Sequence, residues 1–395
     1  MKAGWQTKKL SEVLVRTETI NPVLEPDEEF DYIDVSSVSN KTFQIEDTQL
    51  LKGKDAPSRA RKLVRTNDIL FATIRPTLQR IAIVPEHFDK QVCSTGYFVM
   101  RPQASLNHKF LYYYLFGDGF MSRMEALQKG ASYPAVTDAE VKSQEIALPP
   151  LPEQHRIVSI LDEAFAGIAT ATANAEKNLV NARELFESYL QSVFSNKGVD
   201  WVERTLKELT THLGDGLHGT PKYKADGDYY FINGNNLIDG IIELKSNTKR
   251  VSIDEYNKHK KNLTDRTVLV SINGTLGNIA FYNNEKIILG KSACYFNMIE
   301  SIDKSYIKYV LSSPYFVTYA HKEATGATIK NVSLKTMREF IVPLPPLAQQ
   351  QTIVKKLDAL KAETKRLEAI YQQKLVALAE LKKSILNQAF SGQLQ

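Results

Sequence analysis

The same proline-rich phrase occurs twice in this 395-residue chain, each time in front of a long run of charged and apolar residues. The first copy is LPPLPEQHRIV at residues 148–158, and the second is LPPLAQQQTIV at residues 344–354. The match continues without a gap, at a constant offset of 196 residues, as far as Phe194 and Phe390. A repeat of this length indicates that one structural unit has been duplicated within the chain.

The duplication also reaches the segments that precede each phrase. Trp5 matches Trp201, and TIRPTLQRIA at residues 73–82 matches SINGTLGNIA at residues 271–280. The chain is therefore predicted to run domain, helix, domain, helix. The predicted boundaries are residues 1–147 for the first domain, 148–197 for the first helix, 198–343 for the second domain and 344–395 for the second helix.

Each phrase is predicted to end a domain and to open a helix. Residues that precede proline avoid helical backbone angles, so the two phrases are expected to be extended connectors. In the runs that follow, apolar or small residues recur in alternating steps of four and three with one stutter, which is typical of a coiled-coil seam. Helices of about 40 residues would be about 60 Å long, more than either domain needs for its own core, and this length favours a spacer. The predicted seam residues are Ile157, Leu161, Ile168, Leu179, Ile353, Leu357, Leu375 and Leu378.

The domains are predicted to have a mixed α/β fold. The segments DILFATI at residues 68–74 and RTVLVSIN at residues 266–273 are rich in branched residues and precede turn formers, which favours strands. HKFLYYYLF at residues 108–116 and KSYIKYVLSS at residues 304–313 have the pattern of helices.

Motifs for catalysis are missing from the sequence. It contains no GxxxxGK[ST] phosphate loop, no glycine-rich dinucleotide turn, and no HExxH or CxxC motif. Cys93 and Cys294 are expected to be reduced, packed thiols. Glu243 and Lys245 could form part of a metal-dependent nuclease site, but such combinations arise by chance in any charged chain. We therefore expect a chain that is not an enzyme and that holds no metal or cofactor.

Two similar domains on a helical frame suit double-stranded DNA, because a pseudo-twofold protein can read two half-sites at a fixed spacing. The net charge of +5 is too small to decide the matter, but KGKDAPSRARKLVR at residues 52–65 carries six basic residues against one Asp. One alternative is that this run is only a solvated face. Two others are that the chain is a coiled-coil scaffold without DNA, or a solitary methyltransferase or nuclease, for which the sequence shows no cofactor motif. The predicted phosphate contacts are Lys52, Lys54, Arg59, Arg61 and Lys62, and the predicted contacts to base edges are Arg75, Arg80, Asn273 and Asn278.

These features resemble the specificity (S) subunit of type I restriction-modification systems. The resemblance rests on the two proline-rich phrases, on the endings LQSVFS and ILNQAFSGQL, and on DGLHGTPKY at residues 215–223 followed by FINGNNLIDGII at residues 231–242. Together these segments span nearly the whole chain. The resemblance implies two target recognition domains, each reading one half of a bipartite DNA site, joined by two antiparallel coiled-coil helices.

The resemblance also implies partners and a division of labour. The family's S subunit has no catalytic activity and recruits two modification subunits, which bind S-adenosylmethionine and methylate adenine, and two restriction subunits, which use ATP and magnesium. An alternative is a methyltransferase-only complex without a restriction subunit. With no signal peptide and no long apolar run, a cytoplasmic protein of a bacterium or archaeon is expected. By resemblance, the DNA-facing residues of the second domain are His218, Thr220, Lys222 and Tyr223, whereas no equivalent phrase places the contacts of the first domain.

Overall fold

The structure is a computed structural model that describes residues 4–326 and 328–394. Residues 1–3, 327 and 395 of the predicted domains lie outside the described residues. Contacts divide the chain into two compact units, residues 1–176 with 373–395, and residues 177–372. Each long helix therefore contributes to both units. The domain boundaries at residues 147, 197 and 343 were inferred from the sequence repeat and stay a prediction.

The first unit contains two four-stranded sheets and a short antiparallel pair, β1 with β10. Its helices are α1 Leu10–Val13, α2 His108–Leu115, α3 Asp118–Leu127, α4 Asp138–Lys142, the first part of α5 Leu151–Ser195 and the last part of α10 Leu347–Ser391. Its strands are β1 Gln6–Lys9, β2 Leu14–Val15, β3 Glu29–Ile33, β4 Gln49–Lys52, β5 Ala60–Leu63, β6 Ile69–Ala72, β7 Ile81–Ile83, β8 Val92–Ser94, β9 Tyr97–Pro102 and β10 Glu145–Leu148.

One sheet of the first unit is buried on both faces. It has the antiparallel order β2-β9-β6-β7, and the other sheet has the order β4-β3-β8-β5 with β3 and β8 parallel. Side chains alternate across a strand. Ile69 and Phe71 of β6 therefore join the core beneath the helices, whereas Leu70 and Ala72 join the core shared with Ile33 of the other sheet. This layering explains why β6 reads as a continuous apolar run.

The second unit repeats this plan. Its strands are β11 Val202–Thr205, β12 Thr210–Asp215, β13 Tyr229–Ile232, β14 Leu237–Ile238, β15 Ile241–Ile242, β16 Arg250–Val251, β17 Thr267–Ser271, β18 Ile279–Phe281, β19 Ile287–Leu289, β20 Ala293–Met298 and β21 Ile341–Leu344. Its helices are the last part of α5, α6 Ile253–His259, α7 Lys304–Ser312, α8 Pro314–Glu323, α9 Leu334–Glu339 and the first part of α10. The sheets are β12-β20-β17-β18 and β16-β13-β19, the latter with β13 and β19 parallel, besides the pairs β11-β21 and β14-β15.

Several helices of the two units, and the strands β10 and β21, correspond at the offset found in the sequence. The first residues of α2, α3, α4, α5 and β10 lie 196 residues before those of α7, α8, α9, α10 and β21. The predicted mixed α/β fold and the internal duplication are confirmed. Cys93 and Cys294 are both buried as free thiols, and burial raises the pKa of the Cys93 thiol to about 12.

Each copy of the proline-rich phrase contains a buried glutamine, and the two glutamines make matching hydrogen bonds. Gln154 is fully buried in the first turn of α5, where its amide nitrogen donates to the carbonyl of Pro149 (2.9 Å) and its amide oxygen accepts from the backbone N–H of Asn107 (2.8 Å). Gln350 of α10 makes the same two contacts, to Pro345 (2.9 Å) and to Asp303 (3.0 Å). Each phrase thus joins the start of a long helix to the N-terminus of a domain helix through buried groups that must be hydrogen-bonded.

The long helices pair antiparallel within each unit. In the first unit, Ile157 and Leu161 near the start of α5 share one core with Ala389 near the end of α10. In the second unit, Phe194 near the end of α5 shares a core with Leu357 near the start of α10. Ile168, Leu179, Ile353, Leu375 and Leu378 of the predicted seam are partly buried. Across residues 4–326 and 328–394, neither these helices nor any other are long and apolar enough to cross a membrane.

Candidate nucleic-acid interface

A cleft of about 660 Å³ on the first domain gathers arginines that are far apart in the sequence. Arg59, Arg75 and Arg80 line it together with Tyr133, whose side chain is 70 % exposed, and with Asp34. Three guanidinium groups beside an exposed aromatic ring form a surface that suits the phosphates and bases of nucleic acid. The sequence predicted these arginines but not Tyr133.

Two loops build this cleft, one after β6 and one before α4. Ile74 forms a bridge with Ala135, and the backbone N–H of Arg75 donates to the carbonyl of Pro134 (2.6 Å). Arg75 lies in the left-handed region, with φ of 50°, immediately before a short 3-10 turn at Pro76–Leu78. Since the second loop is fixed against the first by these backbone contacts, both present their side chains to the same cleft.

The arginines of the cleft have different tasks. Nη1 of Arg80 donates to the carbonyls of Ser36 (3.1 Å) and Val38 (2.5 Å), so this side chain also fixes a loop of the domain. Its contact to a base edge stays a prediction. Arg75 donates from Nη2 to the carbonyl of Ser132 (2.9 Å). The side chain of Arg59 is exposed and has no hydrogen-bond or ion-pair partner among the described residues.

The predicted phosphate contacts of residues 52–62 separate in the same way. The Nζ atom of Lys62 donates to the carbonyl of Tyr97 (2.6 Å) and to Asp138 (2.9 Å), and its side chain is only 18 % exposed. Its ammonium group is engaged inside the domain, which disfavours a phosphate contact at Lys62. Arg61 donates to the side chain of Asn21 (2.5 Å), and Lys52 lies 3.9 Å from a carboxylate oxygen of Glu29. Lys54 is exposed, and its side chain is unpaired within the part of the chain that the structure describes.

In the second domain, the phrase DGLHGTPKY forms an exposed loop after β12. His218 lies 2.7 Å from Asp215, measured from Nε2 to Oδ2, and is 73 % exposed. Gly216 is required by packing, because a Cβ atom there would lie 2.2 Å from the carbonyl oxygen of Leu289. Thr220, Lys222 and Tyr223 are exposed, as a DNA contact requires.

Tyr223 leads to a basic surface that the sequence did not predict. An open cavity of about 590 Å³ is lined by Tyr223, Lys224, Lys249 and Arg250 among others. Nζ of Lys249 lies 5.9 Å from the centre of the Tyr223 ring. The guanidinium carbon of Arg250 lies 4.8 Å from the centre of the Tyr230 ring. The segments KYK at 222–224 and TKR at 248–250 carry this signal in the sequence, but nothing local shows that they meet.

Asn273 and Asn278 lie in the loop of the second domain that corresponds to residues 73–80. Nδ2 of Asn273 donates to Oδ1 of Asn331 (3.2 Å), and the backbone carbonyl of Asn278 accepts from Ser271 (2.8 Å). Both residues are partly buried. Elsewhere in this domain, Lys245 lies 3.0 Å from Glu243 in an exposed ion pair. Within residues 4–326 and 328–394, His, Cys, Asp and Glu form no group of three that could hold a metal ion.

The family model described as "Type I restriction modification DNA specificity domain" matches residues 2–181 and again residues 198–375. The chain belongs to this family. The two matches coincide with the two copies of the repeat, so each copy is a DNA specificity domain in its own right. The resemblance inferred from the proline-rich phrases is confirmed.

Curated relatives and solved structures of type I restriction-modification systems agree with this assignment. The chain is 23 % identical to the EcoKI specificity subunit of Escherichia coli strain K12, over 76 % of this chain and 69 % of that subunit. It is 23 % identical to the EcoBI specificity subunit of Escherichia coli, over 73 % of this chain and 66 % of that one. The chain therefore spans about two thirds of the length of these two relatives. A chain from a study of complex assembly and conformational transition of the type I R-M system superposes with a TM-score of 0.82 at 27 % identity, over all of this chain and 99 % of that one. The HsdS subunit from Thermoanaerobacter tengcongensis superposes with a TM-score of 0.71, also at 27 % identity, over all of this chain and 98 % of that one.

The unpaired cations of the basic run allow a salt test. Replacing Lys54 or Arg59 by Ala is expected to reduce the slope of log K against log salt for duplex DNA by about 0.9 for each phosphate that the protein no longer neutralises, with no change in base preference. Lys62→Gln is the control, since its ammonium group already binds inside the domain, and the slope should stay as it is. Binding titrations at several salt concentrations measure both, and an unchanged slope in K54A and R59A would make the run a solvated face.

Proposed function

We propose that this chain is the DNA recognition subunit of a type I restriction-modification complex, and that it reads a bipartite site with one half-site per domain. The observation that carries the proposal is the duplication of one α/β domain, each copy with its own exposed cluster of cations and aromatic rings. Because the two clusters contain different residues, the two half-sites are expected to differ in sequence. The long helices would fix the spacing between them.

The proposed partners are two modification subunits and two restriction subunits. The modification subunits would supply S-adenosylmethionine and the methyltransferase centre, and the restriction subunits would supply ATP and magnesium chemistry, while this chain supplies the DNA address. The alternative is a complex with modification subunits alone. These two versions differ in one outcome: only the first would degrade unmethylated foreign DNA that carries the site.

The test compares the purified chain with the assembled complex. The chain alone is expected neither to bind S-adenosylmethionine nor to methylate DNA, and methylation should appear when modification subunits are added. Sequencing N6-methyladenine in cells with and without this gene should then reveal one bipartite motif that depends on the gene. Methyl transfer by the pure chain, or a methylation pattern independent of it, would contradict the proposal.

A further inference from the structure

The two copies of the domain build the same pair of loops, and one position differs sharply between them. Ile74 bridges Ala135 in the first copy, and Asn273 bridges Asn331 in the second. The next residue then donates its backbone N–H across to the other loop, from Arg75 to the carbonyl of Pro134 (2.6 Å), and from Gly274 to the carbonyl of Lys330 (3.0 Å). The backbone of Arg75 therefore takes the place of Gly274, whereas the sequence match had paired Arg75 with Asn273.

This position requires a left-handed backbone, which glycine tolerates and other residues disfavour. The φ angle is 50° at Arg75 and 77° at Gly274. The second copy thus has glycine, which suits this backbone conformation, whereas the first copy has an arginine in spite of the conformation. Residues held in such conformations cluster at functional sites, so an arginine at this position points to a role for its side chain.

The side chain of Arg75 is held in place, but most of its N–H donors have no partner among the described residues. Nη2 donates to the carbonyl of Ser132 (2.9 Å), and the guanidinium carbon lies 4.6 Å from the centre of the Tyr133 ring. A guanidinium group has five N–H donors, so most remain for a ligand. A planar, oriented fork of donors matches O6 and N7 of guanine, and this is the commonest specific contact between a side chain and a base.

The second copy lacks both parts of this arrangement. The loop that carries Tyr133 is closed by a bridge between Lys129 and Ala135, and the corresponding loop by a bridge between Thr325 and Asn331. At the offset of 196, the place of Tyr133 is taken by Ile329, which is 60 % exposed. The second copy therefore has neither a guanidinium group nor an aromatic ring where the first copy has both.

We infer that Arg75, oriented by Tyr133 and Ser132, is a specificity-determining residue that reads a guanine in the half-site of the first domain, and that the second domain has no equivalent reader. This inference rests on the proposed function. It adds the class of base and the residue that recognises it. It also means that the two domains, which share one fold, differ in recognition chemistry at this loop position.

The decisive variant is Arg75→Gly, assembled with wild-type modification subunits. Glycine is the residue that the second copy carries at this place, so the loop should fold without strain. Methylome sequencing should show that one guanine position in one half-site loses its preference, on the order of 5- to 150-fold, with the other half-site and the gap unchanged. Tyr133→Ile should weaken the same position less, and Arg16→Ala, an exposed arginine outside the cleft, is the matched control.

A second measurement uses only the wild-type complex. Replacing guanine by 7-deazaguanine at the position that R75G identifies removes the N7 acceptor, so binding of the wild-type complex should weaken. An unchanged half-site in R75G, a uniform loss across all sequences, or indifference to 7-deazaguanine would overturn the inference. The proposed function fails separately, when the wild-type complex itself gives no bipartite motif.

Discussion

Adding four residues to both long helices is expected to widen the gap between the half-sites by one or two base pairs and to leave the half-sites themselves unchanged. Four residues lengthen a helix by about 6 Å, against roughly 3.4 Å for each base pair. The insertions belong after Glu176 and after Gln372, where the contacts divide the chain, because each unit then keeps its own antiparallel pairing intact. Methylome sequencing of the assembled variant measures the gap.

The control is an insertion of two residues at the same two places. Four residues rotate the following seam by about 40°, which the pairing should survive, whereas two residues rotate it by about 200° and should abolish assembly. Size-exclusion chromatography with modification subunits distinguishes the two variants. A four-residue variant with an unchanged gap, or with altered half-site bases, would show that the helices do not set the spacing.

Local patterns in the sequence predicted the helices and the order of segments well. The long helices begin at Leu151 and Leu347, directly after the prolines, and the segment predicted as a helix at 108–116 is helical at His108–Leu115. Proline geometry and heptad spacing act within a few residues, so they can be read from the chain alone. The strand predicted at 68–74 is shorter, Ile69–Ala72, because the residues after it turn to meet the loop at Pro134.

Contacts between distant segments could not be predicted in this way. Lys62 belonged to a basic run by sequence, but its partner Asp138 lies 76 residues away, and no local pattern brings the two together. The pairing of Arg75 with Asn273 failed for a related reason. Matching residue types aligned the arginine with an asparagine, whereas the backbone hydrogen bonds align it with Gly274.

The two domains also differ in how a turn with positive φ contacts α10. Phe43 and Asp239 are 196 residues apart, and both are non-glycine residues with positive φ, 56° and 49°. The ring of Phe43 lies 5.3 Å from Nζ of Lys382 on α10, whereas Asp239 forms an ion pair with Lys361 and Lys365 of the same helix. Burial would raise the pKa of the Asp239 carboxyl, but its bonds to these lysines lower it on balance. Each of these two turns thus contacts α10, the first through an aromatic ring and the second through charge.

A second difference between the copies lies inside the central sheet and has a large expected effect. Asp68, which is only 1 % exposed, accepts two hydrogen bonds of 2.8 Å from Nε and Nη2 of Arg101. Strand pairing places these residues where the second copy has Thr267 and Asn297, whose side chains hydrogen-bond at 2.5 Å. An ion pair in one domain therefore corresponds to a neutral pair in the other.

Arg101→Asn is expected to lower the free energy of unfolding of the first domain by about 3–5 kcal/mol at neutral pH, because it leaves a buried carboxylate without its cation. The double variant Asp68→Thr with Arg101→Asn installs the neutral pair of the second copy and should recover most of that loss. Glu18→Gln is the control, since Glu18 contacts Arg101 at 2.6 Å but is 43 % exposed, and its loss should cost at most about 1 kcal/mol. Urea unfolding followed by tryptophan fluorescence measures all three.

The pH dependence of R101N identifies the carboxylate as the cause. Burial already raises the pKa of Asp68 above its usual range, although bonds from Arg101 and from the backbone of Arg65 oppose this, and removing Arg101 should raise it further. A carboxyl with a raised pKa in the folded state stabilises the fold below its unfolded pKa of about 4, and this stability is lost as the pH rises through the folded value. The deficit of R101N should therefore shrink towards acid pH, while the double variant shows no such trend. A deficit that is independent of pH would mean that Arg101 acts through packing rather than through the charge of Asp68.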